Sequence, residues 1–299
     1  MHALGSSHHA PDSVEAPPGQ GQARLRDLRD AVRLLQETWS RRRNDGEGVH
    51  LVIGQKMVEL LAGYGTPWSI SHRLHRRRIG PLLAMIEDTY VRRGEVRIVD
   101  VGGVESYWDI LPEDYRRRHN VSITILNLPD QEMPDDHQCF SFVPGDGCCL
   151  DGFGEESFDI AHSNSVIEHV GDWHRMEAFA SEIRRVGRSY FVQTPDFWFP
   201  LEPHFMAPFF HWLPRTTRVW LFMHVDVGFW SRRSSAEEAC QVVDSIRLLD
   251  RRSFRALFSD ADVLTERLFG MPKSLIAVRR APDRGRGDTA PAPRGTASG

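Results

Sequence analysis

From Val96 onward, short apolar runs alternate with stretches patterned at helical spacing, and this alternation restricts the fold more than any other feature of the chain. The runs fall at Val96 to Val101, Ser122 to Asn127, near Phe140 to Val143, Phe158 to Ser163, Ser189 to Gln193, Val263 to Phe269 and Ser274 to Arg279. Strands separated by helices predict a mainly parallel sheet with helices on both faces. Only Gly270, Met271, Pro272 and Lys273 separate the last two runs. That is too little chain for a helical crossover, so those two strands form an antiparallel hairpin.

The first run ends in Asp100, and Gly102 and Gly103 follow before a helical pattern resumes through Trp108, Ile110 and Leu111. A strand, a tight turn and a helix start in that order bring backbone N–H groups together where glycine lets a ligand approach closely. A glycine pair after a strand also serves as a plain turn, and both readings stand at this point.

Upstream, residues 1–22 are rich in His, Ser, Pro and Gly and read as a disordered tail. Residues 23–94 read as a helical extension. Leu25, Leu28, Val32, Leu35 and Trp39 mark one amphipathic helix, Leu51 to Leu61 a second, and Ile79, Leu82, Leu83, Ile86 and Tyr90 a third that starts near Pro81. The basic cluster from Arg73 to Arg78 before that helix is either a solvated face or a contact for an acidic acceptor group. Residues 281–299 read as a second disordered tail.

The 37 basic residues fall short of the 41 acidic ones, leaving a net charge of −4. No general affinity for polyanions follows from that balance, so no nucleic-acid partner is expected. Cys139, Cys148, Cys149 and Cys240 lack metal-binding spacing, which suits a reducing compartment without structural zinc. No signal-peptide pattern opens the chain, and no apolar run approaches the roughly 20 residues that span a bilayer. A cytoplasmic location is expected. Lysine occurs only at Lys56 and Lys273, a bias of GC-rich genomes.

The segments Ile98 to Gly103, Ile123 to Asn127, Gly145 to Gly147 and Phe158 to Val170, with the closing hairpin, resemble the class I S-adenosylmethionine-dependent methyltransferases. The resemblance covers Val96 to Arg280. Its most specific part is a strand running into Asn164, Ser165, Val166, Ile167, Glu168, His169 and Val170, a pattern of the bacterial small-molecule branch. It implies an α/β, Rossmann-like fold over 95–280: a seven-stranded, mostly parallel sheet with an antiparallel C-terminal hairpin and helices on both faces. The implied cofactor is S-adenosyl-L-methionine. The implied reaction moves a methyl group to a small-molecule acceptor, a hydroxyl of a natural product, sugar or lipid-linked compound. N- or C-methylation on the same fold is the alternative, as is a catalytically inactive binding subunit.

Carried over residue by residue, the resemblance places Gly102 and Gly103 against the methionine part of the cofactor, with Asp100 ordering the loop or reaching the amino group. Asn127, with Leu128 beside it, stands where the family more often has an acidic residue for the ribose hydroxyls. Asp130 is the second choice for that role. Asp146 would accept from the adenine amino group with Gly147 alongside, or is a turn aspartate. Asn164 and Ser165 would line the cofactor floor. The glycine loop departs from the family's usual alternation of glycines. His169 is the leading base, since imidazole titrates near neutrality, or else it caps the following helix. His204 is the second candidate.

Residues 197–230 are dense in Trp and Phe and broken by Pro200, Pro203, Pro208 and Pro214. They read as an insertion that caps an apolar acceptor pocket, makes a membrane-surface or dimer contact, or packs as ordinary core. Glu202, His204 and His211 are metal-ligating types, but their spacing across Pro203 and Pro208 argues against a site, and no metal is expected. The oligomeric state is not legible.

Overall fold

A computed structural model describes residues 70–129, 133–228 and 230–281, with backbone alone for 70–77. The first two expected helices, most of the basic cluster, Asp130 and both tails lie outside the described residues or side chains. The elements in order are α1 (Ile70–Arg93), β1 (Val96–Val101), α2 (Glu113–Arg118), β2 (Val121–Asn127), β3 (Phe140–Pro144), β4 (Phe158–Asn164), α3 (Trp173–Val186) and β5 (Gly187–Pro195). Then come the two-residue strands β6 (Leu201–Glu202) and β7 (Ala207–Pro208), α4 (Arg215–His224), α5 (Ala236–Asp244), α6 (Arg251–Leu257), β8 (Asp262–Leu268) and β9 (Met271–Arg279).

Seven strands form one sheet in the order β3-β2-β1-β4-β5-β9-β8. The first five are parallel, and β9 runs antiparallel to both β5 and β8. The expected hairpin is present, pairing Leu268 with Met271 at its tip. After β3 the chain crosses back over β1 to lay down β4 on its other side, so the switch in strand order lies between β1 and β4. In open α/β sheets the crevice beyond the carboxyl ends of the strands at such a switch is where ligands bind.

Central strands are buried on both faces, which explains their nearly unbroken apolar runs. Every residue of β1 except Arg97 is buried, and all of β4 except Asn164. One face carries Met176, Phe179, Ala180 and Ile183 of α3 with Phe254 and Leu257 of α6. The other carries Leu82, Met85 and Ile86 of α1 with Trp108 and Leu111. A third cluster, built on Phe205, Phe210, Phe222, Val227 and Trp230 with Ala239 and Val243 of α5, is a separate small core formed by the insertion.

Two local expectations are corrected. The helix expected to start near Pro81 runs from Ile70 through Pro81. Proline favours a first helical turn, but here the buried face continues back through Ile79, which outweighs the hydrogen bond that Pro81 cannot make. Directly after Gly103 the chain does not enter an α-helix; the first one begins at Glu113. Residues Glu105–Ile110 form a 3-10 turn instead, because Trp108 is drawn fully into the core.

Candidate active site

Asp100, the penultimate residue of β1, is almost wholly buried, and its carboxylate is used internally. Oδ2 accepts from the Trp108 indole N–H at 2.8 Å, and Oδ1 lies 2.7 Å from His162 Nδ1 on β4. Of the two roles weighed for Asp100, ordering the loop matches this geometry. Gly103 packs directly over it: a Cβ there would stand 1.8 Å from Asp100 Oδ2. Gly102 has φ +74°, and a Cβ would lie 2.6 Å from Val166 Cγ2 beyond β4. Both glycines are therefore demanded by the chain's own packing across the switch point.

Beyond these glycines a small open cleft is lined by Gly102, Asn127, Leu128, Asp146, Gly147 and His169, with Val166, Val170, Arg175 and Phe179 among the rest. Loops after β1, β2, β3 and β4 thus converge on one crevice. Asp100, Gly103, Asn164, Ser165 and His204 do not line it. Ser165 sits in the left-handed region at φ +56° and donates to Gln193 Oε1 at 3.2 Å. Asn164 Oδ1 is buried and has no hydrogen-bond partner among the described residues.

Asn127 donates from Nδ2 to the Gly103 carbonyl at 2.9 Å, tying the second loop to the first. Asp146 accepts from Cys148 N–H at 2.9 Å and from Arg175 Nη2 at 2.8 Å. Partial burial works against its charge, but these donors outweigh it and hold the Asp146 carboxyl below the ordinary range. Arg175 was not a candidate in the sequence. It lies in the first turn of α3, 29 positions from Asp146, and no local pattern links the two.

At the edge of the cleft, Ile167–His169 form a 3-10 turn directly after β4. His169 Nε2 lies 3.1 Å from His204 Nε2, with the rings nearly perpendicular. His204 Nδ1 lies 2.7 Å from Glu202 Oε1 on β6. Glu168, fully buried, accepts from Thr194 Oγ1 through Oε2 at 3.0 Å, and its Oε1 stands 3.7 Å from His204 Nε2. Burial opposes a charge on His204, yet the Glu202 and Glu168 carboxylates overcome this and raise its pKa above the ordinary imidazole value. Burial raises Glu168 in turn, against the pull of His204. The two base candidates, 35 residues apart, are therefore brought together. His211 is not with them; its Nε2 meets the Phe197 carbonyl at 2.7 Å.

Around this cluster the insertion buries Phe205, Phe210, Phe222 and Trp230 but leaves Trp198, Phe209, Trp212 and Trp220 exposed. Among the described residues no helix is long and apolar enough to cross a membrane.

A family model described as a methyltransferase domain matches residues 118–190, from the end of α2 into β5. An uncharacterised protein of Mycobacterium tuberculosis is 38% identical over 69 residues, covering 23% of this chain and 24% of that protein. The chain thus aligns with about a quarter of the length of the curated relatives it matches. Among solved structures, a Burkholderia thailandensis 1,6-didemethyltoxoflavin-N1-methyltransferase is similar at 12% identity and TM-score 0.43, over 91% of this chain and 93% of that one. A Methanosarcina mazei S-adenosylmethionine-dependent methyltransferase is similar at 13% identity and TM-score 0.38, over 62% and 93%. Residues 118–190 thus match a methyltransferase domain, and the strand order and the motifs at the strand ends agree with the class I S-adenosylmethionine-dependent methyltransferases that the sequence resembles.

Proposed function

We propose that the protein transfers the methyl group of S-adenosylmethionine to a hydroxyl of a small-molecule acceptor. The observation that carries this reading is the convergence of four loops, after β1 to β4, on one crevice at the switch point, with a pair of imidazoles at its edge.

The residues present suit an adenosyl ligand. Asp146 is 39% exposed at its side chain, and a carboxylate has lone-pair capacity beyond its two donors for an amino group. Asn127 is the group for the ribose, Gly102 gives backbone at the methionine end, and Leu128 and Gly147 complete the walls. When bound, the cofactor supplies an already activated methyl group. The chain's contribution is alignment, together with removal of the acceptor's proton. His169 is the residue proposed to take that proton, since it borders the cleft. His204, held by Glu202, is proposed to steady the His169 ring through their mutual contact.

The test is incubation of the full chain with cofactor labelled in its methyl group and extract fractionated by size, read by mass spectrometry. Label in a small molecule, with His169→Ala turning over far more slowly at unchanged cofactor affinity, supports the reading. Label only in macromolecules would refute the proposed acceptor class. The rival binding-subunit reading is favoured by one observation: Asp146 and Asn127 are already engaged by Arg175 and the Gly103 carbonyl. Cofactor binding without turnover on any fraction would support it.

A further inference from the structure

The cluster beside the cleft holds more ligand chemistry than a single base needs. Glu168, His169 and His204 each offer a ligand atom within 4.8 Å of the others, the one such triple containing histidine, cysteine or acidic residues among the described residues. We propose that these three side chains bind a divalent cation of the zinc class, with Glu202 as the carboxylate that orients His204.

Four observations converge. First, the two imidazoles point Nε2 at Nε2 across 3.1 Å. Ligand nitrogens about 2.0 to 2.1 Å from a tetrahedral ion stand about 3.3 Å apart, so the pair is already near chelating distance. Second, Glu168 Oε1 is fully buried, has no hydrogen-bond partner among the described residues, and lies 3.7 Å from His204 Nε2. A buried carboxylate oxygen left in that state is costly unless a cation or donor meets it. Its other oxygen is fixed by Thr194, which sets the direction in which Oε1 points. Third, Glu202 Oε1 lies 2.7 Å from His204 Nδ1. A carboxylate accepting there places the ring proton on Nδ1 and leaves Nε2 as the lone pair, the arrangement found behind metal-bound histidines. Fourth, two imidazoles and one carboxylate form a donor set for zinc and its first-row neighbours, whereas magnesium and calcium favour oxygen.

Glu168 and His169 are anchored by the turn after β4 and His204 by the short β6–β7 hairpin, so the site stitches the inserted segment to the sheet. Three protein ligands leave coordination open for a small oxygen ligand, as in catalytic zinc sites, and His169 also lines the cleft; with a cation bound its Nε2 is a ligand, so the proton-accepting role proposed above belongs to the metal-free chain. This site stands without the methyl-transfer reading, because cation binding is measured with no cofactor present.

The experiment is Zn²⁺ titration of the chelator-treated full chain by calorimetry and thermal melting, with Mg²⁺ as the comparison. His2, His8 and His9, outside the described residues, are also metal-ligating types, so the reading is the difference between wild type and variant. Wild type is expected to bind one more equivalent of Zn²⁺ than His169→Ala/His204→Ala and to melt higher on binding it, with Mg²⁺ giving neither effect. Glu202→Gln should keep that equivalent but bind it about 10 to 100-fold more weakly. Should the double variant fail to fold, the near-isosteric Glu168→Gln decides. Equal stoichiometry and affinity for wild type and Glu168→Gln would overturn the proposal, as would a melting shift that is the same in both.

Discussion

Gly102→Ala tests whether the loop after β1 is shaped by the chain's own packing. Residue 102 has φ +74°, and its N–H is pinned to the Leu126 carbonyl at 2.7 Å, so the backbone cannot rotate away without breaking the tie to β2. Holding an alanine in the left-handed region costs about 1 to 2 kcal/mol. Its Cβ would press on Val166 at 2.6 and 2.8 Å, and forced overpacking of that kind costs about 1 to 3 kcal/mol. The sum is about 2 to 5 kcal/mol. For a domain of this size that lowers the melting midpoint by roughly 4 to 20 °C. Adding Val166→Ala removes both Cγ contacts and leaves the Cβ at 3.3 Å, so the double variant should melt above Gly102→Ala, recovering the crowding part but not the backbone part. Thermal denaturation followed by circular dichroism reads both quantities. A Gly102→Ala protein melting within a degree of wild type, or a double variant melting lower still, would refute the reasoning.

Asp146→Ala should weaken cofactor binding by about 1 to 3 kcal/mol, the cost of leaving a buried donor unmatched, and calorimetry showing unchanged affinity would remove Asp146 from the site. Tyr190 donates to Asp260 at 2.6 Å and Arg279 reaches the same carboxylate at 3.0 Å; partial burial opposes the charge, but these contacts hold Asp260 below the ordinary range. A depressed carboxyl stabilises the fold above its unfolded pKa of about 3.9 and ceases to as pH falls through the folded value. The stability difference between wild type and Tyr190→Phe, from urea unfolding, should therefore narrow below about pH 4. A gap independent of pH would contradict this.

Much of the sheet was legible because strands buried on both faces write their burial directly into sequence. β1 spans the run that predicts it, and the four-residue gap before Ser274 required an antiparallel closure. Helix boundaries were less legible: Pro81 looks like a start, and only the tertiary burial of Ile79 shows that the helix continues past it. The glycine pair reads as a ligand loop or a plain turn, and the structure gives both glycines a packing reason that depends on Val166 and Asp100, residues whose proximity no local pattern encodes. The same holds for the imidazole pair. His169 and His204 were each visible, but their contact across 35 positions was not, and Glu168 drew notice only as the neighbour of His169. The sequence spaces Glu202, His204 and His211 poorly for a metal, and folding sets His204 beside His169 and Glu168 with Glu202 behind it. The aromatic insertion could not be resolved by composition alone, since its rings divide between a small core and an exposed face.

The account's central claim is that the loops after β1, β2, β3 and β4 form a single binding site for an adenosyl sulfonium. Isothermal titration of the folded full chain with S-adenosylmethionine tests it most directly. Saturable heat at one equivalent, displaced by S-adenosylhomocysteine and weakened in Asp146→Ala, is the predicted result. The absence of any heat at millimolar cofactor, with the protein demonstrably folded, would contradict it.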